Sequence, residues 1–311
     1  MKNEVKVVSM KMMRRASAFL STAAFVLLQI ATAPNASAGP ILQSNLITMA
    51  ILGGGGVTIG GTGSVITGSI GAYPTTSITG VIPTNFTISG GTVQMGGSTA
   101  AAAQGELGTA ITALSGMTPT ATVSSLGGLT LAPGVYSSAS TMDLTGTLTL
   151  DGAGNANALW VFEVGSALNT ASSSTVNVIN TGAGAGVYWV LPTGSGSAVL
   201  GSNSTFLGNI LANQSISAST NVSDPCGRLL TQVASVTLAG TDTIGIGNSC
   251  SGILAGSNGL SGGGTLTTPP TGGPPVVTPL APAPVPEPGT VVLLGAGIAC
   301  LLARRPRSPR E

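Results

Sequence analysis

"LTGTLTLDGAGNANALWVFEVGSALNTASSSTVNVIN", residues 144–180, holds three short runs of alternating or clustered apolar residues separated by Gly, Ser and Asn. The runs are "GTLTLD" (146–151), "ALWVFEVG" (158–165) and "STVNVIN" (174–180), and "GVYWVL" (186–191) follows them. Their period of two and their Gly-rich boundaries predict strands. Related phrases recur on either side: "SSASTMDLTG" (137–146), "NTASSSTVNV" (169–178), "VLGSNSTFLG" (199–208), "ISASTNV" (216–222) and "TLAGTDTIG" (237–245). Many short strands suit either a sandwich or a solenoid. Rings normally fill the space between two packed sheets, yet only 3% of this chain is aromatic. A solenoid core is narrow enough for Val, Leu, Ile and Ala to fill it, with Gly at the corners. The unequal repeat spacing predicts an irregular β-solenoid in place of a strict hexapeptide helix.

One segment breaks the pattern. In "STAAAAQGELGTAITALSGM" (98–117), Ala103, Leu107, Ala110, Ile111 and Leu114 recur at helical spacing, which predicts one amphipathic helix over about 98–115. Ser98 or Thr99 is the expected cap at its start and Gly116 at its end, and Gly105 and Gly108 weaken it.

The chain ends carry different signals. Five of the ten basic residues precede the first apolar run, four follow the last, and Arg228 alone lies between. From Gly39 to Val285 six acids face that one base, so nothing basic remains there to hold nucleic acid or anionic lipid. A cationic start, an apolar stretch over 16–33 and Ala36-Ser37-Ala38 read as a secretory signal peptide, residues 1–38. An uncleaved N-terminal anchor is the alternative, and the small-residue cleavage site argues against it. Export permits disulfides, so Cys226 and Cys250 either pair or remain as two buried thiols.

Residues 39–261 form the predicted domain. Proline density from 262 to 288 predicts an extended spacer. Pro286-Glu287-Pro288, an apolar segment over 289–303 and Arg304, Arg305, Arg307 and Arg310 then follow in that order over 286–311. This order resembles the PEP-CTERM sorting tail of Gram-negative bacteria. The resemblance implies recognition by an exosortase-type membrane protease, cleavage near Pro286 to Pro288, and delivery to the cell surface or extracellular matrix. Contact with membrane would then be confined to the signal and the tail.

Within the domain, the series L-x-G-T-L-T-L-D, N-A-x-W-V-F and S-T-F-L-G-N-I-L resembles the ice-binding-like domain family of microbial antifreeze proteins. "NLITMAILGGGGVTIGGTGSVITGSIG" (45–71) is similar to that family's N-terminal coil, so the resemblance spans about residues 45–250. It implies a mainly β fold: a right-handed, discontinuous β-solenoid of triangular section with one long α-helix packed alongside. Ser69 stands where the family often has an acid, and the short stretch 81–97 leaves little room for a larger capping subdomain.

Chemistry is poorly supplied. The chain has no His, which removes His-based triads, and no His, Cys or acid cluster has metal-ligand spacing, so neither enzyme activity, metal nor cofactor is expected. Asp143, Asp151, Glu163 and Asp242 are the acids to weigh as a polysaccharide-cleaving set, but the single acids in "TLDGAGN" (Asp151) and "AGTDT" (Asp242) read as turn-formers, and "DGAGNAN" (151–157) reads as an Asx turn in preference to calcium ligands. What remains is a surface of small, uncharged polar groups. The resemblance implies that such residues order water and adsorb to ice. Loose matches to a T-A/G-x-T/N phrase nominate Ser138, Thr141, Thr170, Ser173, Ser202, Asn203, Ser217, Thr220 and Thr241, while Leu200 and Leu238 stand where a hydroxyl is preferred. The expected partner of this monomer is ice or ordered water. A second reading is a matrix protein binding extracellular polysaccharide, which would call for an exposed ring such as Tyr136 or Trp189 beside the hydroxyls.

Overall fold

The computed structural model describes residues 38–80, 86–192, 194, 196–246, 250–269 and 273–282. Of the segment read as a signal peptide, residues 1–38, all but Ala38 lies outside these residues, as do Pro286, Glu287, Pro288 and the apolar segment 289–303.

Among the described residues, alternation in the sequence becomes three long sides of parallel strands, with one α-helix. Sheet 1 runs in the spatial order Val93–Met95, Ser69–Ala72, Met49–Gly53, Arg228–Thr231, Asn209–Ala212, Gly186–Leu191, Leu159–Val164, Gly134–Ser138, Ala121–Thr122. Sheet 2 runs Met142–Leu144, Ala167–Thr170, Ser197–Leu200, Ile216–Ala218, Ser235–Leu238, Gly56–Ile59, Ile78–Thr79. Sheet 3 has two ladders. Thr130–Leu131, Thr147–Asp151 and Thr175–Ile179 form one, and Ser223–Asp224, Thr243–Gly245, Ser64–Thr67 and Phe86–Ser89 the other. Thr205 joins them by parallel bridges to Thr175 and Ser223. The chain visits sheets 1, 2 and 3 in turn, then returns to sheet 1 on a neighbouring strand.

The spatial order departs from chain order at one seam. Leu229 and Leu230 pair with Ile51 and Leu52, so the N-terminal circuits stack on the last one. Ser235–Leu238 pairs likewise with Gly56–Ile59, and Thr243–Gly245 with Ser64–Thr67. Arg228 sits fully buried beside this seam. Its guanidinium donates to Asn209 Oδ1 at 2.7 Å, to the Ile47 carbonyl at 2.7 Å and to the carbonyls of Asn258 and Gly259 at 2.9 and 3.1 Å. Burial lowers its pKa to about 10 and pushes the neighbouring Asp224 carboxyl well above the usual carboxylate range, each charge partly offsetting the cost of the other.

Between the sheets lies a narrow aliphatic core with one file of rings. Tyr136, Phe162, Trp189 and Phe206 follow one another on successive circuits, Phe162 and Trp189 stacked with centroids 3.9 Å apart. The outer face of sheet 1 is also apolar, presenting Leu52, Val135, Leu159, Val161, Tyr188, Val190, Leu211 and Leu230. Helix α1, Ser98–Leu114, covers it with Ala103, Leu107, Ala110, Ile111 and Leu114. The caps differ from expectation. Gly97 is the N-cap, at φ 87°, and neither Ser98 nor Thr99 bonds the helix start; at the other end Ser115, not Gly116, closes it, its hydroxyl donating to the Ile111 carbonyl at 2.8 Å. At Gly108 a Cβ would stand 2.6 Å from Gln232 Nε2, the movable end of a side chain just beyond Arg228–Thr231.

A small antiparallel sheet revises the expected spacer over 262–288. Gly264–Thr267 pairs with Ala38–Pro40 on one side and with Val276–Pro279 on the other. Leu266 and Val277, 4% and 6% exposed, join the cluster under helix α1. Proline is tolerated because Val276–Pro279 is an edge strand, where a missing N–H interrupts no ladder. Cys226 and Cys250 are joined as a disulfide, their Cα atoms 5.0 Å apart.

Candidate functional site

With sheet 1 covered by the helix, sheets 2 and 3 offer outward faces. On sheet 3, strand alternation sends Leu148, Leu150, Val176, Val178, Phe206, Ile244 and Ile66 into the core and small polar residues outward. The inter-strand register aligns Thr147, Thr175, Thr205, Ser223, Thr243, Val65 and Thr87 as direct neighbours. None is charged, and all are exposed or half-buried. At about 4.8 Å per strand the row extends about 29 Å. A shorter second row, Thr130, Thr149 and Asn177, runs beside it.

The corners between sheets 2 and 3 keep this row straight. Ser173, Asn203, Asn221 and Thr241 adopt φ of 60°, 59°, 64° and 51°, and Gly63 follows at 85°. After each comes one inward residue, then the outward one of the row. Left-handed backbone disfavours most side chains, whereas Asn and short hydroxyl residues tolerate it through local hydrogen bonds. Asn221 Nδ2 donates to Asn203 Oδ1 at 2.9 Å along this corner. Inside it, Ser174 Oγ donates to the carbonyls of Ala171 and Leu144 at 2.7 and 2.9 Å, and Ser204 Oγ to Ala171 at 3.2 Å. Asp242 holds the same corner position two circuits beyond Ser204, where it accepts from the backbone N–H of Val222 at 2.8 Å. Repeated corner geometry therefore produces a repeated hydroxyl position.

Sheet 2 aligns Asp143, Asn169, Val199, Ser217, Thr237, Thr58 and Thr79. This row is less uniform. Asp143 carries a charge and accepts from Asn169 Nδ2 at 3.0 Å and Thr141 Oγ1 at 3.1 Å, and Val199 is 45% exposed.

The residues nominated from sequence do not share one plane. Ser138 and Thr170 are buried, which overturns their placement on an exposed face: Ser138 Oγ donates to the Thr141 carbonyl at 2.9 Å, and Thr170 Oγ1 accepts from the Gly201 N–H at 2.8 Å. Thr141 leads into sheet 2, and Ser217 points outward on it. Ser173, Ser202, Asn203, Thr220 and Thr241 occupy the corner beside sheet 3, all exposed except the half-buried Ser202. Leu200 and Leu238 are core residues. The four-residue phrase straddles a corner, where chain direction changes and the i, i+2 rule lapses. The row on sheet 3 contains none of the nominated residues. Its signal is a left-handed-tolerant residue, one inward residue, then Thr or Ser: "SST" at 173–175, "NST" at 203–205, "NVS" at 221–223 and "TDT" at 241–243.

The acids are dispersed, with Asp143 on sheet 2, Asp151 on sheet 3, Glu163 on sheet 1 and Asp242 in a corner. Asp151 Oδ1 accepts from the Ala153 N–H at 2.9 Å and from Asn180 Nδ2 at 3.0 Å, bonds that hold its carboxyl below the usual range. Asn155 Oδ1 accepts from the Asn157 N–H at 2.9 Å, so both ends of "DGAGNAN" make Asx turns. Glu163 is half-buried, and desolvation raises its pKa to about 7. Among the described residues no group of three or more His, Cys, Asp or Glu could hold a metal ion. Tyr136, Trp160, Tyr188 and Trp189 are buried.

Comparison with known proteins adds two family matches: the ice-binding-like model over residues 51–244 and the PEP-CTERM protein-sorting motif over 284–308. An ice-binding protein of Nostoc sp. (strain HG1) is 43% identical over 199 residues, 63% of this chain and 70% of that protein. The crystal structure of an ice-binding protein from the Antarctic ascomycete Antarctomyces psychrotrophicus superposes with a TM-score of 0.59 at 33% identity, covering 67% of this chain and 98% of that one. An ice binding protein from an Antarctic biological consortium gives 0.60 at 30% identity, over 66% and 90%.

Proposed function

The chain belongs to the ice-binding-like family, and from that premise we propose that it is exported and adsorbs to ice through sheet 3. The stacked circuits form a right-handed, discontinuous β-solenoid of triangular section, acting as a monomer. The observation that carries the reading is the uncharged row Thr147, Thr175, Thr205, Ser223, Thr243, Val65, Thr87. Charged or long side chains hold water in strongly oriented shells of their own, whereas each Thr offers one hydroxyl beside one methyl on a rigid lattice. Such a row arranges water into a layer continuous with the crystal, and many weak water-mediated contacts add over its area. Ice then bulges between bound molecules, and the curved front melts more readily.

The tail directs this domain to an exosortase-type protease, which cuts near Pro286 to Pro288 and releases the protein to the surface or matrix of a Gram-negative cell. Buried rings weigh against the polysaccharide reading, since Tyr136 and Trp189 lie inside the core. Thermal hysteresis and recrystallisation inhibition of residues 39–282 test the proposal. Wild-type protein should shape ice, Thr205→Tyr should reduce hysteresis at least fivefold, and Thr237→Tyr on sheet 2 should leave most of it. Absence of ice shaping by the folded wild type would return the protein to the matrix reading.

A further inference from the structure

The domain grips its own C-terminal strand almost up to the sorting motif. Val276–Pro279 pairs with Gly264–Thr267, Leu280 N–H donates to the Gly263 carbonyl at 2.8 Å, and Asn157 Nδ2 donates to the Ala281 carbonyl at 3.1 Å. Pro279 and Leu280 line a crevice of about 170 Å³ with Met117, Pro133, Val135 and Leu159. These contacts lie near the end of the stack formed by Ala121–Thr122 and Thr130–Leu131, far from Met95 on the last strand of the opposite end.

Beyond Ala281 the sequence "PAPVPEP" (282–288) leads directly into the apolar segment, with proline at every second position. At about 3.1 Å per residue, the rise of an extended proline-rich sequence, seven residues reach about 22 Å. Had all of 262–288 been spacer, the same rise would allow about 84 Å of reach. This difference decides how the domain meets the membrane.

We propose that the pole around Ala132, Pro133, Asn157 and Ala281 is a docking face for the membrane-embedded sorting protease. The proposal rests on the reading of the tail as a sorting signal. While the apolar segment is in the bilayer, so short a connection keeps this pole beside the membrane surface and the opposite end, at Met95, away from it. A protease that cuts near Pro286 to Pro288 must work within about 22 Å of folded protein, and the surface it meets there is the uncharged crevice rim. The strands Gly264–Thr267 and Val276–Pro279 stay with the released domain.

The test is site-specific photo-crosslinking of the full chain in cells that contain an exosortase-type protease, with a photo-reactive amino acid at Ala132 or at Met95. The expected result is cleavage of both forms, at least tenfold more crosslink to the protease from position 132, and loss of that crosslink when twelve Gly/Ser residues are inserted after Pro282. Cleavage with equal crosslinking from both positions, or crosslinking indifferent to the insertion, would overturn the docking pole and leave the sorting reading intact. No cleavage of the wild-type tail would overturn the sorting reading itself.

Discussion

The guanidinium of Arg228 donates to the backbone carbonyl of Ile47 at 2.7 Å, joining residues 181 positions apart. Four acceptors surround it, and Asp224 lies beside it with no access to solvent. Removing the cation leaves these groups buried without their donor, which typically costs about 3–5 kcal/mol. Arg228→Met should therefore lower unfolding stability in urea by about that amount. A loss below about 0.5 kcal/mol, the scale of neutral surface changes, would show that the seam holds without it.

Glu163 gives stability a pH dependence. Its folded pKa, about 7, lies above the ordinary 4.5 because burial disfavours the carboxylate. The folded state therefore binds the proton more tightly, and the contribution favours folding below pH 4.5 and is lost as pH rises through about 7. Glu163→Gln should match wild type at pH 4 and exceed it at pH 8 by about 1 kcal/mol, partial exposure screening the rest. Thermal melts of both proteins across that range check the sign.

The disulfide closes a loop with a sequence separation of 24, worth about 3 kcal/mol in the chain-entropy account. A Cys226→Ala, Cys250→Ala double variant should lose about that much. Dithiothreitol should lower the wild-type melting temperature and leave the variant's unchanged.

Truncation after Gly262 should destabilise the protein relative to truncation after Pro282, since it strips Leu266 and Val277 from the cluster under helix α1. Leu266→Ala alone should cost about 2–3 kcal/mol. Equal stability of the two truncations would restore the spacer that the prolines suggest.

Within the row on sheet 3, Ser223 is the member that lacks a methyl beside its hydroxyl. Ser223→Thr should raise thermal hysteresis about twofold with no change in melting temperature, because the side chain faces solvent and each added methyl extends the ordered water layer.

Strands and helix were legible because alternation and helical spacing report burial on one side, as in Thr147–Asp151 and in Ala103, Leu107 and Ile111. The exposed face was less legible. Phrases around Ser138 and Thr170 look like surface hydroxyls, yet each bonds backbone inside a corner, a difference set by where the turn falls. The strands Gly264–Thr267 and Val276–Pro279 are illegible for another reason: proline argues against central strands and says little about edges. The seam left no local trace, since pairing of Leu229 with Ile51 depends on stacking order alone.

That seam means the gene's order and the molecule's order differ. A circular permutant that opens the chain near Gly97 and splices the segment from Met49 to Met95 after Gly245 would make every neighbour in the stack a neighbour in synthesis. With fewer distant pairings to close, it should refold faster than the natural sequence at similar final stability. The native arrangement instead lets the first circuits pair with each other while one flank of Met49–Gly53, Gly56–Ile59 and Ser64–Thr67 waits for Arg228–Gly245 to be made.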